Sequence, residues 1–230
     1  MNYQWIETQT QSPIVELRNY TLRPGRRDEL IALFEEKFIE PQETAGAQVL
    51  GTFEVEGAAD NFVWLRGFSH LEMRKRALDS FYAGPVWLTN REAANATMIG
   101  SDDVHLLRAI TPATGMPLAG LRHPPPGAQW PAQRYTLLLS ELRFPEFVGN
   151  YHLWLRLFLR KAGLDPIASF ATLPAENNFP ALPVWRNRHV HVALMRHAGC
   201  LPNLPTELTG MLRGLPQTLT LVPTPRSLLR

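Results

Sequence analysis

Apolar and polar positions alternate over residues 14–21, where Val15 and Leu17 interleave with Glu16, Arg18 and Tyr20. That is the period of a half-buried strand. Pro24-Gly25 then punctuates the chain, and the spacing changes. Leu30, Phe34 and Phe38, with Ile31 and Leu33 beside them, recur at helical intervals and predict a helix over 26–44. Residues 48–55 and 62–68 return to strand patterning, and 57–61 joins them as a hairpin turn. Ser69 is placed to cap a helix over 70–81. Gly84-Pro85 breaks that helix, 86–96 resumes it, and 104–110 closes the unit as a strand.

The order then recurs. Residues 135–142 read as a strand, and 144–162 as a helix with Phe147, Tyr151, Trp154 and Phe158 on one stripe. Strands over 168–173 and 189–195 flank a long loop. A proline-interrupted helix over 204–215 and a strand over 218–222 finish the half. The tripeptide Glu16-Leu17-Arg18 recurs as Glu141-Leu142-Arg143. A doubled β-α-β-β-α-β order predicts an α+β protein of two tandem ferredoxin-like repeats, over 12–111 and 133–223. The proline-rich stretch 112–132, with His123-Pro124-Pro125-Pro126-Gly127 at its middle, is the linker between them.

Each such sheet has one face under helices. Val15, Leu17, Val63, Leu65 and Gly67 suit the helix side, as do Val190, Val192 and Leu194. Glu16, Arg18, Tyr20, Trp64, Arg66 and Phe68 then face the other way, as do His189 and His191. Two sheets facing each other would enclose a cavity lined by these residues, with Arg66 pointing into it. An unpaired guanidinium between sheet and helices would cost several kcal/mol.

Composition narrows the function classes. Of 230 residues, 45% are hydrophobic and 19% charged, as in globular proteins. The net charge of +2 supplies no basic stripe for nucleic acid, and no apolar run approaches a membrane span. The segment Met1–Glu7 lacks the pattern of a secretory leader. A single cysteine, Cys200, excludes an internal disulfide and a Cys-based zinc site. A cytoplasmic protein with neither nucleic-acid nor membrane partner is the expectation. No glycine-rich phosphate loop, Gly-x-Ser-x-Gly elbow or His-Glu-x-x-His motif is present.

The run Val15 to Gly25, with its Leu-Arg-x-Tyr-x-Leu-x-Pro-Gly core, and the segment 61–87, with Leu71, Arg74, Arg76, Pro85 and Trp87, resemble the NIPSNAP family of the dimeric α/β-barrel group. The resemblance covers 14–110; the second half matches by element order alone. It implies a paired-sheet barrel, closed within one chain or between chains, so a homodimer is one possible form. The wider group includes cofactor-free monooxygenases, lactone isomerases and haem proteins such as chlorite dismutases, and fold alone does not choose among them. Where Arg66 stands, family members often carry an aromatic residue.

Candidate chemistry centres on the polar face. Glu16, Tyr20 and His191 are the catalytic candidates: Glu16 or His191 to move protons, Tyr20 to polarise a developing oxyanion. Arg18, Trp64, Arg66 and His189 are the substrate-binding candidates, because a guanidinium anchors a carboxylate or enolate through its planar fork. The same charges also read as an internal ion-pair network that fixes strand register. His189-x-His191 with Glu141 has the spacing to chelate a metal, and His152 stands on the helix where haem relatives place an axial ligand. Both sets also read as ordinary polar side chains, and no metal or cofactor is assigned. Two functions stay open: an enzyme acting on a small, largely apolar organic molecule, as a cofactor-free oxygenase or isomerase, or a non-catalytic binding or interaction protein.

Overall fold

The computed structural model describes residues 12–116, 120–197 and 199–230. The opening residues, read above as lacking a leader, lie outside this range. Eight strands form one closed antiparallel barrel. They are β1 (Ile14–Leu22), β2 (Gln48–Val55), β3 (Ala58–Phe68), β4 (Met98–Ala109), β5 (Tyr135–Leu142), β6 (Ala168–Thr172), β7 (His189–Arg196) and β8 (Gln217–Pro223). Around the barrel they run β1-β3-β2-β8-β5-β7-β6-β4, so each half of the chain supplies four adjacent strands. Two short seams join the halves: Phe53 to Val55 against Leu221 to Pro223, and Leu107 to Ala109 against Phe170 to Thr172. One chain therefore closes the barrel, which removes every sheet edge without a partner.

The lumen is apolar. Val15, Leu17, Val63, Leu65, Leu137, Leu139, Val190 and Val192 fill it, together with Leu228 and Leu229 of the last segment. This inverts the expected faces. The aliphatic set lines the barrel interior, and Glu16, Arg18, Tyr20, Trp64 and Arg66 point out under the helices, so Arg66 does not face an inter-sheet cavity. Alternation separates two faces but does not say which is inside. A small closed barrel must be filled by side chains, and the aliphatic set fills most of it, with His105 and Glu141 on the same inner face. Gly67 admits no helix; a Cβ there would lie 2.3 Å from the Ser12 Cβ.

The first half carries four helices outside the barrel: α1 (Arg27–Lys37), α2 (Ile39–Thr44), α3 (Leu71–Ala83) and α4 (Pro85–Thr97). The predicted helix over 26–44 breaks at Phe38, which buries its ring against Phe34, Phe81 and Trp87. His70, rather than Ser69, caps α3: its Nδ1 accepts from the Met73 N–H at 3.1 Å. Gly84 is extended between α3 and α4, as the Gly-Pro pair predicts.

The second half carries α5 (Val148–Lys161) and one turn, α6 (Thr206–Thr209). The latter replaces the predicted helix over 204–215; Pro205 stands at its N-cap and Gly210 at its C-cap. On α5 the buried stripe is Tyr151, Leu155 and Leu159. Trp154, expected in the core, is 56% exposed. Residues 112–114 form a 3₁₀ turn, and His123, in the linker, bridges the Arg226 carbonyl and Glu43.

Candidate functional site: a cationic cluster behind an aromatic pocket

Cross-strand register puts Glu16 on β1 opposite Arg66 on β3. Arg18 follows two residues along the same face, and Arg74 reaches down from the buried stripe of α3. Glu16 Oε2 accepts from Arg18 Nη1 at 2.8 Å and from Arg66 Nε at 2.9 Å; Oε1 accepts from Arg74 Nε at 2.6 Å. All four side chains are at most 1% exposed. Burial alone would raise the Glu16 carboxyl, but Arg66, Arg18 and Arg74 outweigh it and hold the group well below the usual carboxylate range. Glu16 is thus a fixed anion, unsuited to moving protons near neutrality.

One carboxylate faces three guanidiniums, so the cluster carries excess positive charge. Several of the remaining donors meet neutral acceptors. Arg66 Nη1 donates to Gln42 Oε1 at 3.0 Å, and Arg18 Nε donates to the Tyr20 hydroxyl oxygen at 3.0 Å. Arg74 Nη1 donates to Asn177 and Asn178 Oδ1 at 3.0 and 2.6 Å. Arg74 Nη2 is buried without a hydrogen-bond partner among the described residues. The two asparagines belong to the β6–β7 loop of the second half, whose Phe179 stacks on Tyr82 at 5.8 Å.

Beside the cluster lies a pocket of about 30 Å³ between the barrel wall and α1–α4. Tyr20 and Trp64 form its floor, and Phe34, Phe38, Phe81, Tyr82 and Trp87 its sides, with Gln42 the polar residue shared with the cluster. The cations stand behind the floor: Arg18 is 5.5 Å from both the Tyr20 and Trp64 ring centroids, and Arg66 is 5.1 Å from Trp64. Trp64 Nε1–H is buried with no acceptor among the described residues. The Tyr20 oxygen accepts from Arg18, which leaves its own proton free of any recorded acceptor. Burial raises the Tyr20 pKa, and the Arg18 charge opposes that rise only in part. Tyr20 and Trp64, which line the pocket, thus carry an O–H and an N–H with no acceptor among the described residues, beside buried cations.

Of the residues expected at the site, Glu16, Arg18, Tyr20, Trp64 and Arg66 stand together. His189 and His191 do not join them; they lie on β7, in the other half of the barrel. His191 is opposite Ser140 on β5 and hydrogen-bonds His152 on α5, Nε2 to Nδ1, at 3.1 Å. Burial lowers His191 to about 3, with His152 adding to the effect, so the ring is neutral. Glu141 is opposite Val190, on the lumen side, where Arg188 donates to it at 2.6 Å. The proposed metal trio therefore splits across two faces. Among the described residues no group of three or more His, Cys, Asp or Glu could hold a metal.

Arg74, Gln42, Asn177 and Asn178 are not among the site residues that the sequence pattern singles out. Arg74 did leave a signal: with Ala77, Leu78 and Phe81 it falls at helical intervals on a buried stripe, and a charge there needs partners. The asparagines left none, because a loop's docking point has no period.

A closed antiparallel barrel with a helix-roofed aromatic pocket defines the structural class. Residues 15–112, in the first half of the chain, match the NIPSNAP family model. Over nearly the whole chain the fold is similar to an anthrone oxidase-like protein, at TM-score 0.58 and 13% identity, covering 94% of this chain and 92% of that one. A "putative monooxygenase" of Lactobacillus acidophilus NCFM aligns at TM-score 0.53 and 14% identity, covering 92% and 94%. Another so named, from Fusobacterium nucleatum, aligns at 0.53 and 7%, covering 92% of each. At such identities the likeness concerns the fold. No curated protein sequence matches the chain. Among the described residues no helix is long and apolar enough to cross a membrane.

Proposed function

We propose that the protein binds a small aromatic molecule bearing an acidic hydroxyl, as its phenolate or enolate, in the pocket between β1, β3 and α1–α4. The excess of guanidinium charge behind the Tyr20–Trp64 floor carries this reading. Buried cations favour a bound anion, the Trp64 N–H and Tyr20 O–H are free to donate to its oxygen, and the rings match its faces. Glu16 and Arg66 set the charge, Arg18 orients Tyr20, and Tyr20 and Trp64 touch the ligand. Cofactor-free oxygenation of that electron-rich anion, or isomerisation through an enolate, is the chemistry such a pocket serves. The names of the monooxygenase-like and anthrone oxidase-like neighbours support the first.

One observation favours a second reading, binding without catalysis. None of the pocket's lining residues is a carboxylate, histidine or lysine, so the wall supplies no general base near neutrality. The ligand must then lose its proton through its own acidity. The same pattern of four adjacent strands in each half supports reading the chain as tandem ferredoxin-like repeats.

The test is titration of 4-nitrophenol, whose anion absorbs in the visible. Bound probe is expected to ionise at lower pH than free probe, and Trp64→Phe should weaken binding about tenfold by removing one hydrogen bond to a charged group. Bound probe that stays neutral, or binding that Trp64→Phe leaves unchanged, overturns the reading.

A further inference from the structure

On the far side of Phe81 lies a groove of about 360 Å³ lined by Glu40, Pro41, Thr44, Ala45, Ser80, Phe81, Gly84, Pro85 and Val86. Phe81 borders both the groove and the inner pocket. The rest of the partition is contiguous too: Pro41 faces the groove and Gln42 the pocket on α2, as do Val86 and Trp87 on α4. The inner pocket as it stands holds a water or two, whereas a benzene-sized ring needs a cavity of about 150 Å³. A ring seated on Trp64 must therefore take space from the groove side. Phe81, three residues from the α3–α4 break at Gly84, is the side chain that lines both spaces.

Resting on the reading of the pocket given above, we infer that the groove is a second subsite of the same binding site. It takes an apolar extension of the ligand, a chain or further ring carried by the acidic aromatic head, and Phe81 sets how head and extension connect. The groove walls suit such an occupant: Pro41, Ala45, Phe81, Pro85 and Val86 are apolar, and the nearest charge, Glu40, is occupied by Arg226. Preferred ligands are then amphiphilic phenols or enols rather than single rings.

The experiment compares phenol, 4-octylphenol and 1-octanol by calorimetry on the full chain. The native protein is expected to bind 4-octylphenol at least 100-fold tighter than phenol. Thr44→Trp, at an exposed rim position, should fill the groove and cut that ratio at least tenfold, with 4-octylphenol losing more affinity than phenol. Phe81→Ala should join the two spaces and raise affinity for 4-octylphenol more than for phenol. A ratio that survives Thr44→Trp overturns the groove subsite, even if Phe81→Ala fails to fold. Phenol binding with no dependence on chain length overturns it while keeping the head site. Octanol binding sensitive to Thr44→Trp, with neither phenol sensitive to Trp64→Phe, keeps the groove and overturns the head site.

Discussion

The two halves of the barrel place different chemistry on the same face. Under α1–α4 the cross-strand pair on the outer face is Glu16 and Arg66; under α5 it is Ser140 and His191. The first pair belongs to a buried ionic cluster with Arg18 and Arg74. The second belongs to a neutral network, in which Tyr151 donates to the Ser140 hydroxyl at 2.8 Å and His191 meets His152. A half-barrel thus needs no buried ionic cluster on this face to fold. The ionic set costs desolvation that the neutral one avoids. The difference isolates the charge as a property of the first half's pocket rather than of the barrel.

The largest effect should come from Glu16. Glu16→Gln orphans three buried guanidiniums and should lower stability by about 3–5 kcal/mol, read from urea unfolding. Ser140→Ala, on the outer face of β5, removes one neutral hydrogen bond and should cost about 1 kcal/mol. Equal losses at the two sites would mean that the ionic cluster is no more than a costlier version of the neutral one.

Period and punctuation made the elements legible. β2 and β5 span the residues that alternation predicts, and the Gly84-Pro85 break falls between two helices. Five of the seven candidate residues came together because each lies at alternate positions of β1 or β3. What alternation does not encode is the sense of the face, and the recurring Glu-Leu-Arg shows why. Glu16 points out to the helices, whereas Glu141 points into the lumen against Val190. Identical tripeptides sit at the start of β1 and the end of β5, one residue out of phase in face. The expected meeting of His189 and His191 with Glu16 and Arg66 fails for the same reason: the polar face points out of the barrel, so the two halves carry these residues away from each other.

A second contrast lies in the helical roofs. Four helices cover the first half, but α5 is the main cover of the second, and its outer side bears Leu153, Trp154 and Leu157 at 46–56% exposure. Leu155→Ala should cost about 2–5 kcal/mol by leaving a cavity. Trp154→Ala, one residue away and the larger deletion, should cost less than about 1 kcal/mol. The comparison breaks if thermal melts rank these two the other way, since Trp154 would then be covered in solution.

The last effect distinguishes the two networks by pH. His191 has a folded pKa lowered to about 3 from an ordinary 6.5, so the unfolded chain binds its proton first. Its contribution is complete above pH 6.5 and erodes as pH falls towards 3, at a limiting slope of about 1.4 kcal/mol per pH unit. Glu16 is also lowered, from 4.5, and as a carboxylate it contributes fully above that value and loses its effect only below it. Between pH 6.5 and 4.5 the second half therefore weakens while the ionic cluster of the first stays intact. His105, buried in the first half and lowered to about 4, adds a slope of the same sign that is common to wild type and variant. His191→Gln should remove about 1.4 kcal/mol per pH unit from the acid limb of stability measured by urea unfolding over this window, while Trp64→Phe leaves it in place. If His191→Gln keeps the full slope, His191 is already charged in the folded state, and the neutral network in the second half is not what separates it from the first.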